Sequence, residues 1–429
     1  MSCDERLRPH VLGAARAALP AALGLFLDLH RHPELSGKEQ RTARLFAHAA
    51  EGAGFTTTRG VGGHGVVAVL RNGAGPTVLV RTELDALPVG ERTGLAYASR
   101  VRQTGADGRR VAVMHACGHD AHIAAVIGTA RVLAGLKEQE AWRGTVVLVA
   151  QPAEEALTGA RAMLGEGLYR HFPPLDAVLA QHVVPLPAGV LAYATGPVTA
   201  AGAKARVYFR GSGGHAVMPW RSLSPLEVAA RTVLRLRSAM PPHVLLGVGS
   251  FRSGDRADVS PDRAVVSITV RTFDQARLTE ALAVVESVAR AENARMAGAQ
   301  PVEVHVDASA PLLRNTPALE AELRQAHTEV FGAARVTACL PFPILEDFAW
   351  YGPAGEWLHG GSGIKVCYWF VGCAGAPPGR SAPASPAHLA QWPPNHSPYF
   401  IVAPMPTLRT AVGALTTGAL SVLAGPGRE

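Results

Sequence analysis

The sequence has few of the features that mark secreted or nucleic-acid-binding proteins. Only five of its 429 residues are cysteines, and they are far apart with no Cys-x-x-Cys pair. Reduced thiols are therefore expected rather than a disulfide framework. The formal net charge is +7, but no basic run is longer than Arg109-Arg110 and aromatic residues do not alternate with basic ones. These features argue against nucleic acid as a partner and leave only a mild preference for anionic small molecules.

Signals for export or for membrane insertion are also missing from the sequence. The N-terminus carries Asp4, Glu5, Arg6 and Arg8 without an apolar stretch before a cleavage site, so no signal peptide is predicted. Apolar runs are short and interrupted by glycine or proline, which predicts no membrane-spanning helix. We therefore expect a cytoplasmic protein with no membrane partner. An apolar content of 48% is typical of a packed globule, and the length favours two domains.

The densest chemical feature is the stretch from His115 to His122. It contains three histidines, Cys117 and Asp120 within eight residues. Thiolate and imidazole groups are typical ligands of zinc and similar ions, so this density favours a metal site over a buried thiol beside surface histidines. Taken alone, the stretch suggests one ion held by Cys117, His119 and His122.

Three further segments predict buried strands that end in polar side chains. Thr77–Arg81 runs into Glu83 and Asp85, Gly144–Ala150 runs into Glu154 and Glu155, and Asp176–Ala180 runs into His182. Ligands of open α/β sheets lie beyond the carboxyl ends of the strands. Of the adjacent pair Glu154-Glu155, one carboxylate can bind metal while the other acts as a base, although such pairs are often only a charged helix start.

The pattern changes near residue 199. Lys204–Arg210 and Ala264–Thr272 alternate like half-buried strands, and helices are predicted at Pro225–Ser238 and Leu278–Ala297. We predict an α/β fold in which a larger catalytic domain (1–198 and 311–429) has a central, mostly parallel sheet flanked by helices. A smaller α+β sandwich (199–310) is inserted into it.

Several motifs together resemble the metal-dependent amidohydrolases and peptidases of the aminoacylase, hippurate hydrolase and indole-acetyl-amino-acid hydrolase type, which are kin to the carboxypeptidase G-like peptidases. The resemblance covers nearly the whole chain. It is carried by the following segments: His30–Glu34, Glu83–Pro88, His115–His122, Gln151–Glu155, Gln181-His182, Gly213–Ala216, Glu346–Phe348 and Asn395-His396.

The resemblance implies a dinuclear centre of Zn²⁺ or Mn²⁺, with Co²⁺ or Ni²⁺ as further options. The implied metal ligands are Cys117, His119, Glu155, His182 and His396. Glu154 matches the general base that activates the attacking water, and Asp85 matches a carboxylate close to the metals. His215 matches a histidine that stabilises the oxyanion, often across a homodimer formed through the inserted lid domain, although a loop histidine without a role remains an alternative.

The sequence departs from the family pattern where the substrate is expected to bind. Trp220 replaces a histidine and would narrow the pocket, and Asp258 replaces an asparagine close to the substrate's carboxylate. An aspartate there would repel a free carboxylate, although Arg271 could pair either with that group or with Asp258. In the first strand motif, Glu83 replaces a shorter aspartate.

The leading hypothesis is a metal-dependent hydrolase that cleaves the amide bond of an N-acyl amino acid or a similar N-acylated amine. A dipeptidase or a carbamoyl or amidino hydrolase on the same scaffold is an alternative. A non-catalytic relative that binds without reacting is the alternative from another class, but it would have no need of Glu154.

Overall fold

The computed structural model describes residues 3–105, 108–218, 224–296, 298–375 and 392–425, and the side chains only from residue 11 onwards. The chain divides into two compact units. The larger comprises Met1–Val198, Arg314–Leu340 and Asp347–Glu429, and the smaller comprises Thr199–Leu313 and Pro341–Glu346. The predicted insert, 199–310, did not include this last short segment.

The first half of the larger unit contains four helices and the first nine strands. They are α1 (Cys3–Arg31), α2 (Gln40–Glu51), β1 (Thr56–Val61), β2 (Gly65–Asn72), β3 (Thr77–Glu83), β4 (Arg102–Thr104), β5 (Arg110–Ala112), α3 (His119–Glu138), β6 (Gly144–Gln151), α4 (Gly159–Gly165), β7 (Ala177–Pro187), β8 (Leu191–Ala194) and β9 (Pro197–Thr199). Helix α1 ends two residues before Pro33, because the residue before a proline is disfavoured in helical conformation.

In the parts of the smaller unit that the structure describes, there are two helices and a four-stranded antiparallel sheet in the order β12-β14-β10-β15. Its elements are β10 (Ala201–Arg210), β11 (Gly214–His215), α5 (Pro225–Ala239), β12 (Leu245–Arg252), β13 (Val259–Ser260), β14 (Arg263–Thr272), α6 (Gln275–Ala294) and β15 (Glu303–Ala310). Alternate residues of β10 and β14 pack on the two helices, which gives this unit its own apolar core. Strands β12 and β15 were not predicted from the sequence.

The chain returns to the larger unit through its last elements. They are β16 (Leu313–Arg314), α7 (Pro317–Phe331), β17 (Val336–Cys339), α8 (Glu356–His359), β18 (Lys365–Ala374) and α9 (Pro404–Ala424). Helices α1, α3 and α9 pack on one another and share one apolar core with the central sheet.

The central sheet of the larger unit has eight strands in the order β1-β2-β6-β3-β7-β18-β8-β17. Strands β6, β3, β7 and β18 run parallel to one another. On one side β2 and β1 add antiparallel pairs, and on the other side β8 pairs antiparallel with β18 and parallel with β17. All residues of β3 and β6 are buried, as expected for strands covered on both faces. The predicted fold class is therefore confirmed.

Two helices correct the expectation that no segment could span a membrane. By length and hydropathy alone, Val11–Arg31 and Pro404–Ala424 are both long and apolar enough. However, 83% of the apolar window of Pro404–Ala424 is buried inside the protein, and Phe26 and Leu29 of α1 lie in the same core. Buried core helices of soluble proteins can have the same length and hydropathy, so these two properties are weak evidence for a membrane span.

Candidate metal centre

Three neighbouring strands of the central sheet bring the predicted site residues of the larger unit together. Strand β3 lies between β6 and β7 and runs parallel to both. Asp85 follows β3, and Glu154 follows β6. His182 was predicted just beyond a strand end, but β7 continues to Pro187, so His182 lies within the strand. Its side chain reaches Cys117 and lies in one group with Cys117 and His119.

His119 begins helix α3 and is oriented by a backbone hydrogen bond. Its Nδ1 donates to the carbonyl oxygen of Asp85 at 2.8 Å, which leaves Nε2 directed into the site. This Nε2 is buried and has no hydrogen-bond partner among the described residues. Gly118 precedes it with φ +82°, and a Cβ there would lie 2.3 Å from Val183. Only glycine allows the chain to turn so closely above β7.

Cys117 lies between two further histidines. Its Sγ is 3.3 Å from Nε2 of His182 and 3.3 Å from Nε2 of His396. Nδ1 of His182 donates to the carbonyl oxygen of Val183 at 2.8 Å, so its Nε2 is the free ligand atom. Asn395 also donates to that carbonyl oxygen, at 3.1 Å. Such hydrogen bonds at the far nitrogen are what holds metal-binding histidines in one tautomer and orientation.

The two adjacent glutamates complete the cluster from the end of β6. Oε1 of Glu155 lies 3.2 Å from Nε2 of His396, and Oε2 of Glu154 lies 3.9 Å from Nε2 of His119. Asp85 accepts the backbone N–H of Glu155 at 2.9 Å and the hydroxyl of Ser36 at 2.6 Å. The ligand atoms fall into overlapping groups within 4.8 Å of one another: Cys117, His119 and His182; Cys117, Glu155 and His396; His119, Glu154 and Glu155.

His122 lies beside the cluster and forms a further group with Glu83 and His119, but both of its nitrogens already have hydrogen-bond partners. Its Nδ1 donates to Oε2 of Glu83 at 2.8 Å, and its Nε2 accepts the backbone N–H of Val183 at 2.8 Å. Glu83 in turn pairs with the fully buried guanidinium of Arg81. One nitrogen of His122 therefore binds the end of β3 and the other binds β7, which a local reading of the sequence does not reveal.

The charges around the cluster suit bound cations. Burial alone would lower the pKa of His119, but the hydrogen bond to Asp85 and the charges of Glu83 and Asp85 raise it to about 10. Burial, together with the charges of Glu155 and Glu154, raises the pKa of the Cys117 thiol well above its usual value. The nearby carboxylates thus favour positive charge at His119 and a bound proton at Cys117. Metal cations at these positions would offset the same negative charges. One thiol, three imidazoles and a carboxylate form a donor set that suits zinc-like ions.

In the smaller unit, strand pairing brings two predicted residues near each other. His215 lies opposite Val259 in the β11–β13 pair, next to Asp258, and it is exposed. Arg256 donates to both carboxylate oxygens of Asp258, at 3.1 and 3.0 Å, and this bond lowers the pKa of Asp258. Arg271 donates to the carbonyl oxygen of Pro343 at 2.8 Å and is not the partner of Asp258. Trp220 lies outside the described residues.

Sequence reasoning missed two buried residues of the larger unit. Arg81 bridges Glu83 and Asp347, with Nη2 2.9 Å from Oδ1 of Asp347. Glu39 is fully buried, and its Oε1 accepts the backbone N–H of Ala153 at 2.8 Å. Burial and the charge of Asp85 raise the pKa of Glu39 to about 7. The arginine inside an apolar strand was a visible signal, whereas nothing in the local sequence around Glu39 pointed to this contact.

Buried His30 predicts a pH-dependent stability. Its Nδ1 donates to Asp120 at 2.7 Å and its Nε2 donates to Glu91 at 3.2 Å. Although burial acts in the opposite direction, these carboxylates raise its pKa to about 9. Because the folded pKa lies above the unfolded value of about 6.5, the stabilisation, about 3 kcal/mol, is complete below that value and is lost as pH rises through 9.

We therefore expect His30→Gln to lower the free energy of unfolding of the metal-free protein much more at about pH 6 than at about pH 10. Urea unfolding of the variant and the wild type at both values measures the difference. The matched control is His48→Gln, since His48 is exposed on α2, and it should change little at either pH. An equal loss for His30→Gln at both values would contradict the charged pairing.

Comparisons with known proteins agree with this geometry. The sequence model of the family described as Peptidase family M20/M25/M40 matches residues 79–381. N-acetyl-L-cysteine deacetylase of Bacillus subtilis (strain 168) is 31% identical over 343 residues, which are 77% of this chain and 77% of that protein. Hippurate hydrolase of Campylobacter jejuni is 32% identical over 263 residues, 59% of this chain and 65% of that protein. The crystal structure of a dinuclear metal binding peptidase from the M20 family of Bacillus subtilis superposes with a TM-score of 0.70 at 25% identity, covering 95% and 99% of the two chains.

Proposed function

Because the chain belongs to Peptidase family M20/M25/M40, whose members include amide hydrolases, we propose that it hydrolyses the amide bond of an N-acyl amino acid or a similar N-acylated amine. The observation that carries the proposal is the position of Glu154. Its carboxylate lies 3.9 Å from Nε2 of His119, and its side chain is only 8% exposed. With Glu155 assigned as a metal ligand, Glu154 supplies a second carboxylate that can take a proton from a water molecule beside His119.

We assign two divalent cations to Cys117, His119, Glu155, His182 and His396. Cys117, His119 and Glu155 each belong to at least two of the overlapping groups. Because Sγ of Cys117 lies 3.3 Å from Nε2 of both His182 and His396, Cys117 is the residue that we assign to both ions. When bound, such ions lower the pKa of a water molecule and polarise the substrate's carbonyl group. The donor set favours Zn²⁺, and Mn²⁺ is the second choice.

The side chains of the larger unit then have separate tasks. Oε2 of Glu154 accepts the proton of the attacking water and returns it to the leaving nitrogen. Asp85 fixes the imidazole of His119 through its carbonyl oxygen and the backbone of Glu155 through its carboxylate. In the smaller unit, His215 is the proposed donor to the oxyanion. Its imidazole is exposed, and among the described residues its hydrogen-bond partner is the backbone N–H of Val217 in its own turn.

The N-acyl amino acid class is favoured by the relatives that the chain matches. N-acetyl-L-cysteine deacetylase and hippurate hydrolase are named for this kind of substrate. A panel of N-acetyl, N-benzoyl and long-chain N-acyl amino acids, each with and without a free carboxylate, tests the proposal. Dipeptides and N-carbamoyl amino acids in the same panel test the alternatives. Turnover of dipeptides or N-carbamoyl amino acids, without turnover of any N-acyl amino acid, would exclude the deacylase proposal.

Asp258 gives a prediction about the amine side of the substrate. Its charge is offset by Arg256, and the pair is well exposed. We expect Asp258→Asn to lower KM for substrates with a free carboxylate, because Arg256 loses its partner and can attract that group. The ratio of kcat/KM for matched substrates with and without the carboxylate is the measurement.

The double variant Asp258→Asn with Arg256→Gln is the control, and it should return the ratio towards that of the wild type. An unchanged ratio in the single variant would remove Asp258 from the account of specificity.

A further inference from the structure

The segment that carries Glu154 and Glu155 has an unfavourable backbone conformation. Ala153 and Leu157 have φ values of +49° and +58°, in the left-handed region that residues other than glycine rarely adopt. Such conformations are energetically unfavourable and persist only where the surroundings impose them. The two positions flank both glutamates, so whatever holds this turn also sets the direction of their side chains.

Three buried carboxylates accept backbone N–H groups of this segment. Glu39 accepts from Ala153 at 2.8 Å, Asp85 from Glu155 at 2.9 Å, and Asp347 from Ala160 at 3.1 Å. Asp85 and Asp347 have further partners close to the centre. Glu39 comes from the turn between α1 and α2, whereas Asp85 follows β3 and Asp347 begins a short 3₁₀ helix.

The side chain of Glu39 does not serve its own helix. Glu39 is the residue before α2, a position where acidic side chains often cap the helix, yet among the described residues its side chain makes no capping bond to α2. It points to Ala153 instead, and the same oxygen also accepts from Gly37 at 2.7 Å. The capping task falls to Glu34, which accepts the N–H groups of Arg41 and Thr42 at 3.1 and 2.7 Å.

We propose that Glu39 is a positioning residue of the metal centre: through the N–H of Ala153 it holds the turn that presents Glu155 to the metals and Glu154 to the attacking water. The expected effect of Glu39 on kcat rests on the proposed function. Its expected effect on the turn and on metal binding does not. Loss of the contact leaves the partly buried N–H of Ala153 without this acceptor and releases the strained turn, so both glutamates lose their fixed direction.

The test compares Glu39→Ala with Glu39→Gln, using Glu34→Ala as the matched control. Three quantities are measured: metal affinity by calorimetry, hydrogen exchange of residues 153–160 in the metal-free protein, and the separate values of kcat and KM. Removing a residue that orients ligands typically costs 10–100-fold in metal affinity. We expect about that loss for Glu39→Ala, with faster exchange in 153–160 and a fall in kcat rather than a rise in KM.

Glu39→Gln keeps an oxygen that can accept from Ala153, so it should restore metal affinity and slow exchange. Glu34→Ala should lower the free energy of unfolding without changing metal affinity or the hydrogen exchange of residues 153–160. The proposal is overturned if Glu39→Ala binds metal like the wild type, or if the glutamine variant is as defective as the alanine variant. A wild type that hydrolyses no amide would reject the proposed function instead, and the exchange and affinity measurements would still decide the role of Glu39.

Discussion

Replacement of Glu154 by glutamine is expected to abolish hydrolysis while leaving the metals bound. Glutamine keeps the size of the side chain but cannot accept a proton, and loss of a general base typically costs about 10²–10⁴-fold in rate. We expect a loss of that size in kcat, with little change in KM. Metal analysis of the purified variant should still give the content found for the wild type.

The neighbouring residue provides the matched control. Glu155 contributes an oxygen 3.2 Å from Nε2 of His396 and belongs to the group that contains Cys117. Glu155→Gln should therefore lower metal content as well as activity. If Glu154→Gln lost metal and Glu155→Gln retained it, the two roles would have to be exchanged. Retention of full activity by Glu154→Gln would exclude it as the base.

Replacement of Cys117 by serine is expected to have the second large effect. Its sulfur lies 3.3 Å from Nε2 of both His182 and His396, so both metal positions depend on it. Changes to residues that only orient ligands already cost 10–100-fold in affinity, so loss of a shared ligand should exceed about 100-fold. Activity should fall with metal content and recover partly at high metal concentration.

A different substitution at the same position separates ligand chemistry from packing. Cys117→Asp supplies an oxygen ligand and should retain part of the metal. Cys367→Ala is the control, since Cys367 is buried in β18, away from the cluster, and its loss should alter stability alone. The same metal content in Cys117→Ser as in the wild type would contradict the assignment.

Sequence reasoning reached the fold and part of the centre for identifiable physical reasons. Buried parallel strands are continuous apolar runs, so β3 and β6 were visible, and Cys117 and His119 stood out because metal ligands cluster in sequence. His396 lies 279 residues from Cys117 and came only from the resemblance to a family. A contact between residues so far apart in sequence leaves no pattern in the sequence near either of them.

The errors also have physical causes. His122 has the spacing of a ligand, but hydrogen bonds to Glu83 and Val183 use both of its nitrogens. The end of β7 was placed too early because Gln181 and His182 are polar, whereas each finds a partner inside the protein. Glu39 could not be found because its partner Ala153 lies 114 residues away along the chain.

A metal titration of the chelator-treated wild-type protein tests the central claim most directly. Zn²⁺ or Mn²⁺ is added in known equivalents, and bound metal and amide hydrolysis of an N-acyl amino acid are measured on the same samples. The account predicts no hydrolysis without metal, and activity that rises and saturates as the second ion per chain binds. Full hydrolysis by the metal-free protein, or the absence of metal binding after both additions, would contradict it.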